Sequence, residues 1–106
     1  MFGRATIIKG DPAQVDEGAR IYREEVIPAV QGQPGFKGGI SLSDRSTGRG
    51  ISISFWETED DMRNSETAAN SIRGESLAKI GITEPPTVER MEVTYFDVSA
   101  PVGSSS

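Results

Sequence analysis

Residues 36–43 read Phe-Lys-Gly-Gly-Ile-Ser-Leu-Ser, and residues 51–58 read Ile-Ser-Ile-Ser-Phe-Trp-Glu-Thr. Both runs alternate between apolar and small or polar side chains, the period of a strand whose two faces meet different surroundings. In the first run Phe36, Gly38, Ile40 and Leu42 share one side, and Lys37, Gly39, Ser41 and Ser43 share the other. Residues 44–50, Asp-Arg-Ser-Thr-Gly-Arg-Gly, are turn chemistry, so the two runs pair as a hairpin. The second run ends at Trp56 and leads to Thr58, a good helix N-cap. Glu59, Asp60 and Asp61 then fill the first turn, where the helix dipole favours negative charge.

Working outward, Phe2 to Lys9 contains β-branched Thr6, Ile7 and Ile8 and stops at Gly10, which predicts another strand. Asp11-Pro12 predicts a helix start, because proline at the first helical position loses no hydrogen bond. Val15, Ala19, Tyr22, Val26 and Val30 follow as one apolar stripe, with Pro28 predicting a kink or an irregular last turn. The helix opened by Thr58 is expected to run to about Ile80, broken near Gly74. Gly81 then closes it and Pro85-Pro86 forbids its continuation. A last strand is expected from Val88 to Val98, with Met91, Val93 and Tyr95 on one side and Thr94, Phe96 and Val98 on the other.

The order is βαββαβ, an α+β, ferredoxin-like fold with a four-stranded antiparallel sheet and both helices on one face. Residues 1–98 form one domain, and 99–106 a flexible polar tail. Because the last strand is apolar on both sides, the uncovered sheet face is expected to pack against a second copy, giving a homodimer.

Composition narrows the chemistry. The chain has 106 residues, and its 11 Lys and Arg against 16 Asp and Glu give a net charge of −5, which argues against nucleic acid as a partner. Without cysteine or histidine it lacks thiolate nucleophiles and the commonest metal ligands, haem ligands and general bases, so neither metal nor cofactor is expected. No apolar run approaches the length of a membrane helix. Residues 1–4 lead straight into a strand without the apolar core of a signal peptide, so the expected location is the cytoplasm. Arg49-Gly-Ile-Ser-Ile-Ser-Phe55 has the outline of an RNA-recognition strand, but Ile51 and Ile53 stand where stacking aromatics belong.

Pro34-Gly35-Phe36, the hairpin, and Phe55-Trp56-Glu57-Thr58 leading into an acidic helix start together resemble the antibiotic-biosynthesis-monooxygenase group of dimeric α+β barrel proteins. The resemblance covers residues 2–98. It implies a dimeric α+β barrel and, as an activity, cofactor-independent oxidation of a small aromatic or polyketide-like substrate. Haem-degrading members of the group use an asparagine in the first strand, and a tryptophan and a histidine on the later helix. Counted without gaps, those positions fall near Gly3 or Arg4, on Ser65, and near Glu75, so haem degradation is not expected. Polyketide-oxidising members use a similar asparagine and tryptophan, and the alternative is a non-catalytic barrel that binds a small ligand or serves a structural role.

The pocket candidates are Tyr22, Trp56, Met62, Ser65, Ala69 and Ile72. Tyr22 offers a hydroxyl on an otherwise apolar stripe, and Trp56 an indole that either walls a pocket or locks the strand–helix corner. On the expected inward line of the second helix, Met62, Ser65, Ala69, Ile72 and Ser76, three side chains are small. Either the helix lies close to the sheet or a cavity forms there for a small apolar or aromatic ligand. No catalytic residue is assigned. Arg4 and Arg90 lie on neighbouring strands and either hold an acidic substrate or pair with Glu89 or Glu92.

Overall fold

In a computed structural model, which describes residues 1–82 and 84–99, strand β1 (Phe2–Lys9) lies inside the sheet with a partner on each side. Its neighbours are β3 (Arg49–Trp56) and β4 (Thr87–Glu92), and β2 (Phe36–Ser43) completes the order β2-β3-β1-β4, antiparallel throughout. This is the ferredoxin-like arrangement expected from the element order. Except for Ser99, the expected tail 99–106 lies outside the described residues.

The helical layer begins where Asp11-Pro12 predicts it. The Asp11 carboxylate accepts from the Ala13 amide at 2.8 Å, and a 3-10 turn (Pro12–Gln14) leads into α1 (Val15–Ile21). A π-turn (Tyr22–Val26) and α2 (Ile27–Val30) extend the rod. Proline at position 28 has no amide to offer the Glu24 carbonyl and its ring crowds that oxygen. The chain widens one turn before it, and the Ile27 amide bonds Tyr22 instead. Thr58 caps α3 (Glu59–Asn64) by accepting from the Asp61 amide at 3.1 Å. The break before α4 (Glu66–Lys79) comes at Ser65 rather than at Gly74, which lies within α4. There the Ser65 hydroxyl donates to the Met62 carbonyl at 2.7 Å, competing with the helical ladder. Gly81, at φ +76°, ends α4, with the Gly81 amide on Ala78 and the Ile82 amide on Leu77. Among the described residues no helix is long and apolar enough to cross a membrane.

Two expectations about the strands are corrected. A bulge between Phe36 and Gly38, with Gly38 at φ +149°, reverses the alternation of β2. Phe36 pairs with Trp56 and joins the helix-side core, whereas Gly38 pairs with Phe55. Phe36 therefore does not share a side with Ile40 and Leu42. β4 ends at Glu92, not Val98: the Val93 amide still bonds the Met1 carbonyl, but beyond it the chain has no strand partner and Phe96 stacks edge-on against Phe55.

The register also sets which face the helices cover. Phe2, Arg4, Thr6 and Ile8 of β1 lie beneath them, opposite Trp56, Ser54, Ser52 and Gly50 of β3. On the open face lie Ala5 and Ile7, Ile51, Ile53 and Phe55, Ile40, Leu42 and Met91. Leu42 and Met91 are 53% and 57% exposed. The apolar row of the hairpin thus faces away from the helices, and its serine row lies under them.

Candidate functional site

One end of the helix–sheet interface is closed. Trp56 and Met62 are fully buried and pack with Val30, Phe2, Ile27 and Phe36. Phe36 meets Trp56 edge-on at 5.4 Å, and the indole Nε1 donates to Ser54 Oγ at 2.9 Å. The other end is open. Between the π-turn, α1 and α4 on one side and the serine row on the other lies a cavity of about 140 Å³. Ile8, Val15, Ile21 and Val26 form its apolar wall, while Tyr22, the serines of β2 and β3, Arg4 and Arg73 supply its polar groups.

Each polar group has a structural cause. Tyr22 begins the π-turn and reaches over the sheet, where its hydroxyl donates to the Ile53 carbonyl across a long 3.4 Å. The strand beneath it must be bare: a Cβ on Gly39 would lie 2.6 Å from that hydroxyl and 2.8 Å from Ile27. Burial pushes the Tyr22 phenol up to about 12, against the opposing pull of the Arg4 charge. At neutral pH it stays protonated in the cavity lining, its one hydrogen turned to the Ile53 carbonyl. At the far rim Gly10 and Gly48 bring β1 against the hairpin turn, the Gly10 amide bonding the Gly48 carbonyl at 3.1 Å.

Arg4 is 4% exposed, and its Nη1 donates to the Met62 carbonyl at 3.0 Å and to Ser65 Oγ at 2.9 Å. Its guanidinium carbon lies 5.5 Å from the centre of the Trp56 ring. All these partners are neutral. Arg90, directly opposite Arg4 in the β1–β4 register, pairs with Glu66 instead of Glu89 or Glu92, and Arg73 donates to Asn70 at 2.9 Å. Neither Arg4 nor Arg73 makes a salt bridge among the described residues. Burial and then the Arg73 charge pull Arg4 below its ordinary pKa, with Glu66 opposing. Burial and then the Arg90 charge do the same to Arg73.

Of the candidates named from sequence, Tyr22 and Ala69 line the cavity. Trp56 and Met62 belong to the closed core, and Ser65 is 1% exposed and engaged by Arg4. Ile72 lies half-buried on α4 outside the cavity lining. The inward line of the second helix does face the sheet, but the open space starts further along it, at Ala69, and continues to Ser76 and Ile80. Arg73, four residues after Ala69, was legible as a member of that stripe, yet helical spacing alone makes it one more solvated charge. The acidic residues around Thr58 act as surface partners, Glu57 with Lys37 at 2.7 Å and Glu59 with Arg63 at 3.2 Å.

No protein-family model matches the chain. A structure of a monooxygenase from the gene ActVA-Orf6 of Streptomyces coelicolor, in complex with nanaomycin D, superimposes with a TM-score of 0.73 at 18% identity, covering 93% of this chain and 92% of that one. A crystal structure of an antibiotic biosynthesis monooxygenase gives 0.67 at 15% identity, over 90% of this chain and all of the other. The chain has the fold of the antibiotic biosynthesis monooxygenases. At such identities the likeness to these monooxygenases extends to the fold alone. In sequence the chain is 33% identical over 78 residues to the uncharacterised protein Rv2557 of Mycobacterium tuberculosis, a match covering 74% of this chain and 35% of that protein. It thus spans about a third of the length of the curated relatives it matches.

Proposed function

We propose that this monooxygenase-fold chain is a cofactor-independent monooxygenase whose substrate, a small aromatic or polyketide-like molecule, lies in the cavity between helices and sheet. The observation that carries this reading is the cavity itself: an apolar wall, a neutral phenol donor at Tyr22 and a positive end at Arg4 and Arg73. Such an environment suits a substrate that ionises. As an enolate or phenolate it can pass an electron to oxygen, and recombination of the two radicals forms a carbon–oxygen bond to a peroxide. The proton lost on ionisation returns to the peroxide. Loss of the second hydrogen from carbon then breaks the O–O bond, leaving a carbonyl and releasing water, so that a CH₂ group and O₂ become C=O and H₂O. The protein has to bind, orient and exclude bulk water. The positive end favours the ionised substrate, and in this reading Tyr22 turns its hydrogen from the long Ile53 bond to the developing oxyanion.

A homodimer joined through the open sheet faces belongs to the same proposal, supported by the apolar row that faces away from the helices. The second reading, a barrel that binds a small ligand without chemistry, is favoured by Ser65, which is buried and engaged by Arg4 where oxidising relatives in the resemblance carry a tryptophan. Oxygen uptake with a panel of quinols, anthrones and flavonols distinguishes the two. Turnover that falls at least tenfold in Tyr22→Phe supports the oxygenase, and inactivity across the panel with ligand still bound leaves the binding protein.

A further inference from the structure

Arg4 and Arg73 line one end of the cavity with Arg90 beside them, while the one carboxylate in the lining, Asp11, follows Gly10 at the far rim. Arg4, Arg73 and Arg90 share one carboxylate, Glu66, and Glu66 is engaged by Arg90. Arg4 and Arg90 stand directly opposite each other across β1 and β4, where like charges destabilise a sheet. A buried guanidinium held only by neutral acceptors is costly, and an anion beside it would offset that cost. Arg4 spends Nη1 on Met62 and Ser65, and its Nε and Nη2 meet no protein acceptor among the described residues. No fully buried side-chain nitrogen is left unsatisfied there, so these two nitrogens keep some exposed surface, and Arg4 lines the cavity.

Space sets the size of the occupant. An apolar cavity of about 150 Å³ admits one benzene ring, and this one encloses about 140 Å³ and is open at one end, so one ring sits inside and any further ring lies at the mouth. Its wall of Ile8, Val15, Ile21 and Val26 suits the ring, and the two arginines suit a planar anion at one edge of it.

We propose that Arg4 and Arg73 form a carboxylate subsite, so that the ligand of this cavity is an aromatic acid, one ring against the apolar wall and its carboxylate on the guanidinium pair. The inference rests on the cavity being the ligand site and names the class of molecule that fills it. Tyr22, whose hydroxyl lies against the sheet at the Ile53 carbonyl, then offers its oxygen to a ring hydroxyl.

Calorimetric titration of the protein under nitrogen at neutral pH, with benzoate and with benzamide, tests the proposal, since the two differ in charge and hardly in shape. Benzoate is expected to bind at least about tenfold more tightly, the margin of a charge-assisted pair over a neutral one. Arg4→Gln also removes the bonds to Met62 and Ser65 and could unfold the chain, so Arg73→Gln carries the test. It is expected to weaken benzoate about tenfold and leave benzamide unchanged, with Arg73→Lys recovering part of the loss. Equal affinities for the two probes, an Arg73→Gln variant that binds benzoate as the parent does, or no benzoate binding at all would each overturn it. Oxygen uptake plays no part in this readout, so an inactive protein that prefers benzoate sinks the oxygenase reading and leaves the subsite standing.

Discussion

At the scale of single residues, the site depends on side chains that are absent as much as on those present. Gly39 leaves room for the Tyr22 hydroxyl, and Gly48 leaves room for β1: its Cβ would lie 2.3 Å from the Gly10 carbonyl oxygen, at a φ of +81° that only glycine adopts freely. Gly48→Ala is expected to lower stability by about 1–3 kcal/mol in denaturant titration, the range for strain at such a position. Tyr22 gives a prediction in pH. Its folded pKa of about 12 lies above the ordinary tyrosine value of 10.0. A raised pKa stabilises the fold while the phenol is neutral in both states, and that contribution is lost as the unfolded phenol ionises first. The stability advantage of the parent over Tyr22→Phe is therefore expected to be constant below about pH 9 and to shrink between about 10 and 12. A constant difference across that window would mean that the phenol is solvated. None of these roles could be read from the sequence, where Gly39 and Gly48 are a strand residue and a turn residue like their neighbours.

At the scale of elements, caps and turns were legible because their chemistry is local. Asp11-Pro12, Thr58 and Gly81 each act within four residues of themselves, and each stands where the sequence places it. The bulge at Lys37 and the break at Ser65 were not legible, because both depend on partners far along the chain: Phe55 and Trp56 for one, Arg4 for the other. The same limit explains the site candidates. Spacing identified the inward line of the second helix, but not that Met62 and Ser65 are sealed at one end while Ala69 and Ser76 border open space. Two substitutions on that line should therefore differ in kind. Ser76→Leu places a branched side chain of better helix propensity into the cavity, and is expected to keep or raise the melting temperature while displacing the ligand. Ser65→Trp overfills a closed core and strips an acceptor from Arg4, and is expected to destabilise by about 2–4 kcal/mol. Ligand titration beside thermal melts of the two variants separates a cavity from a core.

At the scale of the whole molecule, the inverted hairpin links the cavity to self-association. A monomer of this fold would turn Ile40, Leu42, Ile51 and Ile53 toward its helices and leave the serines in water. Here the serines lie under the helices, where small polar side chains leave the cavity unfilled, and the apolar row is covered only in part, with Phe96 over Phe55 and Leu42 more than half exposed. Site and face thus follow from one choice of register, since a one-residue slip would fill the cavity and remove the apolar face together. A twofold dimer through this face satisfies both halves of the pattern, because a single self-complementary surface covers itself. Sedimentation equilibrium at micromolar concentration is expected to report about twice the 11.4 kDa of the chain. Leu42 and Met91, more than half exposed within the protomer, carry the decisive test. Charged substitutions there, Leu42→Glu with Met91→Lys on the same chain, cost the protomer little by themselves, since exposed positions away from packed features shift stability by only about 0.5 kcal/mol. They should yield a folded monomer with a native circular dichroism spectrum and a lower melting temperature. If the doubly charged chain still sediments as the parent does, the open face is not where two copies meet. If the parent is already a monomer, the apolar row must be covered in some other way.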